Sequence, residues 1–233
     1  MIKRKKLGQH FLNSPLISSK VVSEAKIGPS DTVFEIGTGT GILTPLLCNN
    51  AKKVISIEAD MELYLQAKSQ FAKISNLSLE FGDGFKTKNS FTVFVSNLPY
   101  SKSKEAIEFL ASTPFSRGVI MVQKEFAEKI LGTNKKRSIG IIANYCFEIK
   151  KLFKVRKENF QPPPKIDSIV LKIEKRNTLD NDLIKTINKI FSYKRKKISN
   201  ILKQFGLETS IEKRLEDLSA EEIVKLAKQI NRK

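Results

Sequence analysis

The chain has one histidine, two cysteines and no apolar stretch approaching the ~20 residues that a membrane-spanning helix needs. Each scarcity removes a class of function. A lone His10, with Cys48 and Cys146 far apart and no C-x-x-C pair, does not make a structural zinc site, and nothing asks for a disulfide. Such cysteine usage suits a reducing compartment, and a cytoplasmic protein is expected. The start, MIKRKKLGQHFL, is basic but carries no apolar segment or small-residue cleavage site, so no secretory signal is expected. Internal repeats and low-complexity tracts are lacking too. Acidic residues are also short: 24 Asp and Glu face 42 Lys and Arg, a formal net charge of +18. Lys and Arg neutralise phosphates and release condensed counterions, so a polyanionic partner is implied. Nucleic acid is the expected one, ahead of an anionic membrane surface.

What is present is enough for a core. The 233 residues are 40% hydrophobic, which fits one domain with a small appendage. A helical period over NSPLISSKVVSEAKI is followed by an alternation. TVFEIG, KVISIE, LSLEFGD, FTVFVSN, GVIMVQ and a late SIVLKIEK read as strands. GILTPLLCNN, MELYLQAKSQFAK, KEAIEFLAS and KEFAEKILG read as helices, and IGIIANYCFEIKKLFKV as helical or mixed. Strands alternating with helices predict an open, mostly parallel α/β sheet. After about residue 176 apolar residues recur at three and four, without strand-like runs. The expected division is therefore residues 1–175, with a basic arm at 1–12, and a helical unit at 176–233.

VFEIGTGTGILT places Gly37, Gly39 and Gly41 between a strand and a helix. Glycine permits positive φ and close approach of backbone to a ligand, and the helix start offers free N–H groups. The dinucleotide pattern G-x-G-x-x-G fails at Ile42. The spacing is G-x-G-x-G, preceded by Glu35, and resembles the first motif of class I S-adenosylmethionine-dependent methyltransferases. Glu58 ends the second strand, where a carboxylate accepts from ribose hydroxyls. Asp83 ends the third, within reach of an adenine amino group, although Gly-Asp-Gly is also good turn chemistry.

The fourth strand ends in Asn97-Leu98-Pro99-Tyr100, on the edge where ligands of such sheets bind. This resembles the (Asn/Asp)-Pro-Pro-(Tyr/Phe) motif of enzymes that methylate an exocyclic amine. Adenine N6 is a poor nucleophile because its lone pair is delocalised. The Asn97 amide oxygen and the Leu98 carbonyl are suited to accept its two N–H bonds, and Pro99 fixes the backbone. Tyr100 offers a ring on which an extruded base stacks, worth ~1–3 kcal/mol. The chemistry needs a sulfonium methyl donor and no metal.

GQHFL, EIGTGTGILT, IEAD, GDGF, NLPYSKS, MVQKEFAEKI, NFQPPPKIDSIV and FSYKRKKISNIL occur in one order over nearly the whole chain. That order resembles the small-subunit ribosomal RNA adenine dimethyltransferase family, whose bacterial members are called KsgA or RsmA. The resemblance implies a class I (Rossmann-like) methyltransferase sheet with helices on both faces and a small C-terminal helical domain. It implies N6,N6-dimethylation of two adjacent adenosines near the 3′ end of 16S-type rRNA, in a pre-30S particle late in assembly. It gives the capping of S-adenosylmethionine to His10 and Leu12, and loop contacts to Gly37 and Gly39. Ribose falls to Glu58, adenine to Asp83, and the methyl corner to Asn97. Phe160 is the aromatic opposite Tyr100 at the target base. Lys194, Arg195, Lys196 and Lys197, beside the aromatics of FSYKRKKISN, are expected on RNA phosphates, as are Lys3, Arg4, Lys5 and Lys6 of the arm. The short C-terminal unit and GQHFL lean toward an archaeal-type member, and nothing asks for more than a monomer. The alternatives are the related large-subunit enzyme Erm and a non-catalytic RNA-binding assembly or transcription factor on the same fold.

Overall fold

The computed structural model describes residues 9–132 and 137–232. Its centre is a seven-stranded sheet. β1 (Phe11–Leu12) lies outside it. β2 (Thr32–Ile36), β3 (Lys53–Glu58), β4 (Leu77–Phe81), β5 (Val93–Asn97) and β6 (Arg117–Gln123) are parallel. β7 (Phe147–Val155) and β9 (Ser168–Lys175) complete it, and β8 (Phe160–Gln161) pairs with β1 in a separate two-stranded sheet. The order is β4-β3-β2-β5-β6-β9-β7. β9 runs antiparallel to β6 and to β7, so β7 points the same way as the parallel strands.

The inner strands are mostly apolar because both faces are covered, with Glu35, Ser56 and Ser96 as buried polar exceptions. Side chains alternate with period two and sort into two clusters. Val33, Val93, Val95 and Val119 face one side, with Val21 and Val22 of α1 (Pro15–Glu24) and Leu47 of α2 (Thr44–Cys48). Phe34, Phe94, Ile120 and Leu171 face the other. That side is covered by α4 (Ser103–Ser112), α5 (Lys124–Leu131) and α6 (Ser138–Cys146). α3 (Met61–Gln70) follows β3 and begins at Asp60, whose carboxylate accepts from the Glu62 and Leu63 amides.

α6 passes directly into β7 at Cys146–Phe147, which resolves the mixed reading of that stretch. Phe147 is already extended, at φ −136° and ψ 149°. No Gly or Pro marks the change. Lys175, at the end of β9, donates to the Leu110 and Ala111 carbonyls at the end of α4. Burial between the Phe115 and Phe147 rings pushes its ammonium down to about 8.

The C-terminal segment forms α7 (Asn181–Ser192), α8 (Ile198–Lys203) and α9 (Ala220–Asn231). Asp180 caps α7 by accepting from the Leu183 amide, and Ser219 with Glu222 forms a capping box on α9. Ile184, Ile187, Ile190, Ile223 and Val224 belong to the same apolar cluster as the α4–α6 layer. Asn188 on α7 donates to Glu108 on α4 at 2.8 Å. No helix among the described residues is long and apolar enough to cross a membrane.

Candidate active site

The parallel strands deliver their C-terminal ends to one edge, and a cleft opens there. The glycine loop forms its floor. Gly37 and Gly41 both sit at positive φ, +83° and +78°, for different reasons. A Cβ on Gly37 would meet nothing within 4 Å, so that position faces open space. A Cβ on Gly41 would overlap the Phe71 ring, so that position is closed by packing. The Gly37 amide donates to the Ile57 carbonyl at 2.8 Å and fixes the loop to β3.

Glu58 is 4% exposed and holds two chain segments. Its Oε2 accepts from the Gly39 amide at 2.8 Å, and its Oε1 accepts from the Asp60 amide at 2.9 Å. A carboxylate has about four lone-pair sites, so acceptor capacity remains on both oxygens. Behind it lies a buried polar chain. Oε2 of Glu35 accepts from Thr44 Oγ1 and Ser56 Oγ, each at 2.7 Å, and Ser56 Oγ lies 2.7 Å from Thr38 Oγ1. Burial pushes the Glu35 carboxyl up to about 7 despite those donors, and the charge of Glu58 adds to the rise. This chain joins β2, β3, the glycine loop and the start of α2. From the sequence Glu35 was legible only as the residue before the glycines.

β5 brings the amine corner. Asn97 Nδ2 donates to the His10 carbonyl at 3.2 Å, which leaves the amide oxygen as the free end. Leu98 is 1% exposed and packs in the core, so its side chain answers to packing. The Tyr100 hydroxyl lies 2.6 Å from Ser168 Oγ, and burial pushes the phenol up, so it stays neutral. The His10 ring stacks on Tyr100 at 5.3 Å between centroids. Its Nδ1 is 2.8 Å from the Pro162 carbonyl, which can only accept, so the proton sits on Nδ1. β1 is thus tied across the cleft mouth to β8, with Leu12 opposite Phe160.

Gln9, His10, Leu12, Gly37, Gly39, Glu58, Asn97, Leu98 and Tyr100 all line the cleft. Gln9 was not singled out from the sequence, although it lies inside GQHFL. Its Oε1 is buried and has no partner among the described residues. Two expected site residues stand apart. Phe160 is 1% exposed, packs among apolar neighbours of the valine side and is not among the residues lining the cleft. Its pairing with Leu12 through β1–β8 explains that burial. Asp83 stands at the same sheet edge but outside the cleft walls. It is exposed, accepts from the Phe85 amide at 3.1 Å and pairs with Lys86 at 3.5 Å. Lys194, Arg195, Lys196 and Lys197 are exposed in the α7–α8 turn, where Lys197 pairs with Glu212. Lys3, Arg4, Lys5 and Lys6 lie outside the described residues.

Residues 2–231 match the family described as ribosomal RNA adenine dimethylase. The chain belongs to this family. A dimethylase relative from Thermotoga neapolitana, ribosomal RNA small subunit methyltransferase A, is 36% identical, covering 96% of this chain and 90% of its own. An archaeal relative, the probable ribosomal RNA small subunit methyltransferase A of Methanosarcina barkeri, is 33% identical over 95% of this chain and 86% of its own. The dimethyladenosine transferase of Plasmodium falciparum superposes with a TM-score of 0.79 at 29% identity, covering 96% of this chain and 98% of its own. The 23S rRNA methyltransferase ErmE superposes at 0.69 with 20% identity, over 95% of this chain and 99% of its own, and shares the fold. This dimethylase is therefore an enzyme of the S-adenosylmethionine-dependent class.

Proposed function

We propose that this dimethylase transfers methyl groups to N6 of two adjacent adenosines near the 3′ end of small-subunit rRNA. It acts on a pre-30S particle late in assembly, as a cytoplasmic monomer. The observation that carries the reading is the set of the Asn97 amide, whose nitrogen is engaged by His10 and whose oxygen is left to accept.

The cleft suits S-adenosylmethionine. Open space above Gly37 admits a ligand against the backbone, and the unpartnered Gln9 Oε1 is an acceptor suited to an ammonium. Glu58 keeps lone pairs for ribose hydroxyls, and Leu12 closes the apolar side. Asp83, at the same sheet edge, is assigned to adenine. When bound, the cofactor supplies an electrophilic methyl on a sulfonium that carries its own leaving group.

The residues then do three things. In the first transfer Asn97 Oδ1 and the Leu98 carbonyl accept the two N6 hydrogens, and in the second one of them accepts the hydrogen that remains, which favours a pyramidal nitrogen with its lone pair directed at the methyl. Each transfer exchanges an S–CH3 bond for an N–CH3 bond, and N6 releases one proton to solvent. Tyr100, its hydroxyl held at Ser168, presents a ring plane set before the base arrives. The Pro99 backbone keeps both acceptors in register. Lys194–Lys197, the arm residues Lys3–Lys6 and the helical unit 176–233 are assigned to rRNA phosphates.

The test is tritiated-methyl transfer to immature 30S particles, 50S particles and free DNA, with mapping of the modified bases. Label confined to two adjacent adenosines of the 30S RNA is expected, and label on 50S alone would sink the assignment. Asn97→Ala should bind cofactor within a few-fold of wild type and transfer no methyl. Unchanged turnover would remove Asn97 from the reaction.

A further inference from the structure

A second basic surface leads into the cleft, apart from the arm and the α7–α8 turn. Residues 149–165 carry Lys150, Lys151, Lys154, Arg156, Lys157 and Lys165 against a single acid, Glu158. All six cations are exposed. Lys150 pairs with Glu148 and Lys154 with Asp167. Among the described residues, no ion pair involves Lys151, Arg156, Lys157 or Lys165. Clustered like charges repel one another, and a polyanion relieves that repulsion.

The fold turns this run into a track. β7 is the last strand of the sheet, and its C-terminal end lies at the cleft edge. The β7–β9 register shifts between Lys151 and Phe153. Lys151 therefore opposes Leu171 and Lys154 opposes Ile169, two residues of one face. Without the extra residue, positions three apart would point to opposite faces. Beyond Val155, Arg156 and Lys157 continue into a short turn. There the Lys157 amide donates to Asp167 at 2.9 Å. The next residue after Asp167 is Ser168, which holds the Tyr100 hydroxyl. The track thus ends beside the amine corner.

We infer that Lys151, Arg156 and Lys157 bind backbone phosphates of the RNA strand that flanks the target adenosines. The inference rests on the rRNA reading above and adds a docking surface to the same site.

The test compares Lys151→Gln/Arg156→Gln/Lys157→Gln with a control of equal charge change, Lys52→Gln/Lys53→Gln/Lys73→Gln. The control lysines are exposed at the opposite ends of β3 and β4. Affinity for immature 30S particles is measured from 50 to 200 mM salt, with cofactor affinity and methyl transfer followed in parallel. Each lost phosphate contact to a single strand lowers the log–log salt slope by about 0.7. Three contacts make the wild type lose about 20-fold more affinity than the track variant over that range. The control should follow the wild type, and both variants should bind cofactor normally. Equal slopes for the two variants would overturn the track. Wild-type binding without methyl transfer would overturn the reaction assignment, while the slopes would still decide the track.

Discussion

Replacing Glu35 with Gln should stabilise the protein at pH 8. Glu35 is 1% exposed and its carboxyl titrates at about 7, against an ordinary value of 4.5. An acid whose pKa is raised by folding binds its proton more tightly in the folded state. Below pH 4.5 both states are protonated and the group is neutral in its effect. Between 4.5 and about 7 the unfolded chain ionises first, so stability falls as pH rises, and above 7 the loss is constant. At 1.36 kcal/mol per pKa unit, the full penalty is about 3 kcal/mol. A glutamine oxygen accepts from Ser56 and Thr44 as the carboxylate does, without the buried charge. Urea denaturation of both proteins should show a difference of about 1 kcal/mol at pH 5 and about 3 kcal/mol at pH 8. Any constant cost of the altered hydrogen bonds moves both values together, so the pH dependence decides. A difference that is the same at both pH values would refute the claim that a buried charge is being relieved.

The glycines of the loop should separate by mechanism. Gly37→Ala should cost about 1 kcal/mol of stability from the positive φ, yet weaken cofactor binding strongly by calorimetry, because its Cβ enters the open cleft. Gly41→Ala should cost about 3 kcal/mol from strain and overlap with Phe71, measured by denaturation, and part should return when combined with Phe71→Leu. Phe160→Ala should lower stability by about 3–5 kcal/mol. A Phe160 that faced the base instead would change RNA binding and leave the denaturation midpoint in place. Ser168→Ala should loosen the Tyr100 ring and raise KM for the particle while cofactor affinity holds.

The parallel strands were legible because each is a short apolar run closed by turn residues. The valine and phenylalanine faces follow from period two alone. β7 was not legible, since Ile139 through Phe153 is apolar at both helical and strand spacing and no breaker stands at Cys146–Phe147. The two-residue pair β1–β8 leaves no periodic trace at all. Within the cleft, Glu58 and Asn97 could be placed because they end strands of a parallel sheet, and Tyr100 because it follows three residues after β5. The Glu35–Ser56–Thr38 chain was hidden because its members meet only after β2 pairs with β3. The burial of Phe160 was hidden for a related reason: the motif gives its neighbours in sequence, while its pairing is with Leu12, almost 150 residues away.

The strand pair at the cleft mouth has a consequence for motion. β1 contributes two residues to its pairing, supplemented by the Asn13 amide on the Asn159 carbonyl and the His10 ring on Pro162. So few bonds place its opening at the low end of the local unfolding scale, far below the free energy of unfolding the sheet. Amide hydrogens at Leu12 and Asn13 should therefore exchange with solvent much sooner than those of β2 or β5. A reaction that spends a fresh methyl donor on every transfer needs such a latch, one that releases its small ligand without disturbing the sheet that holds the site.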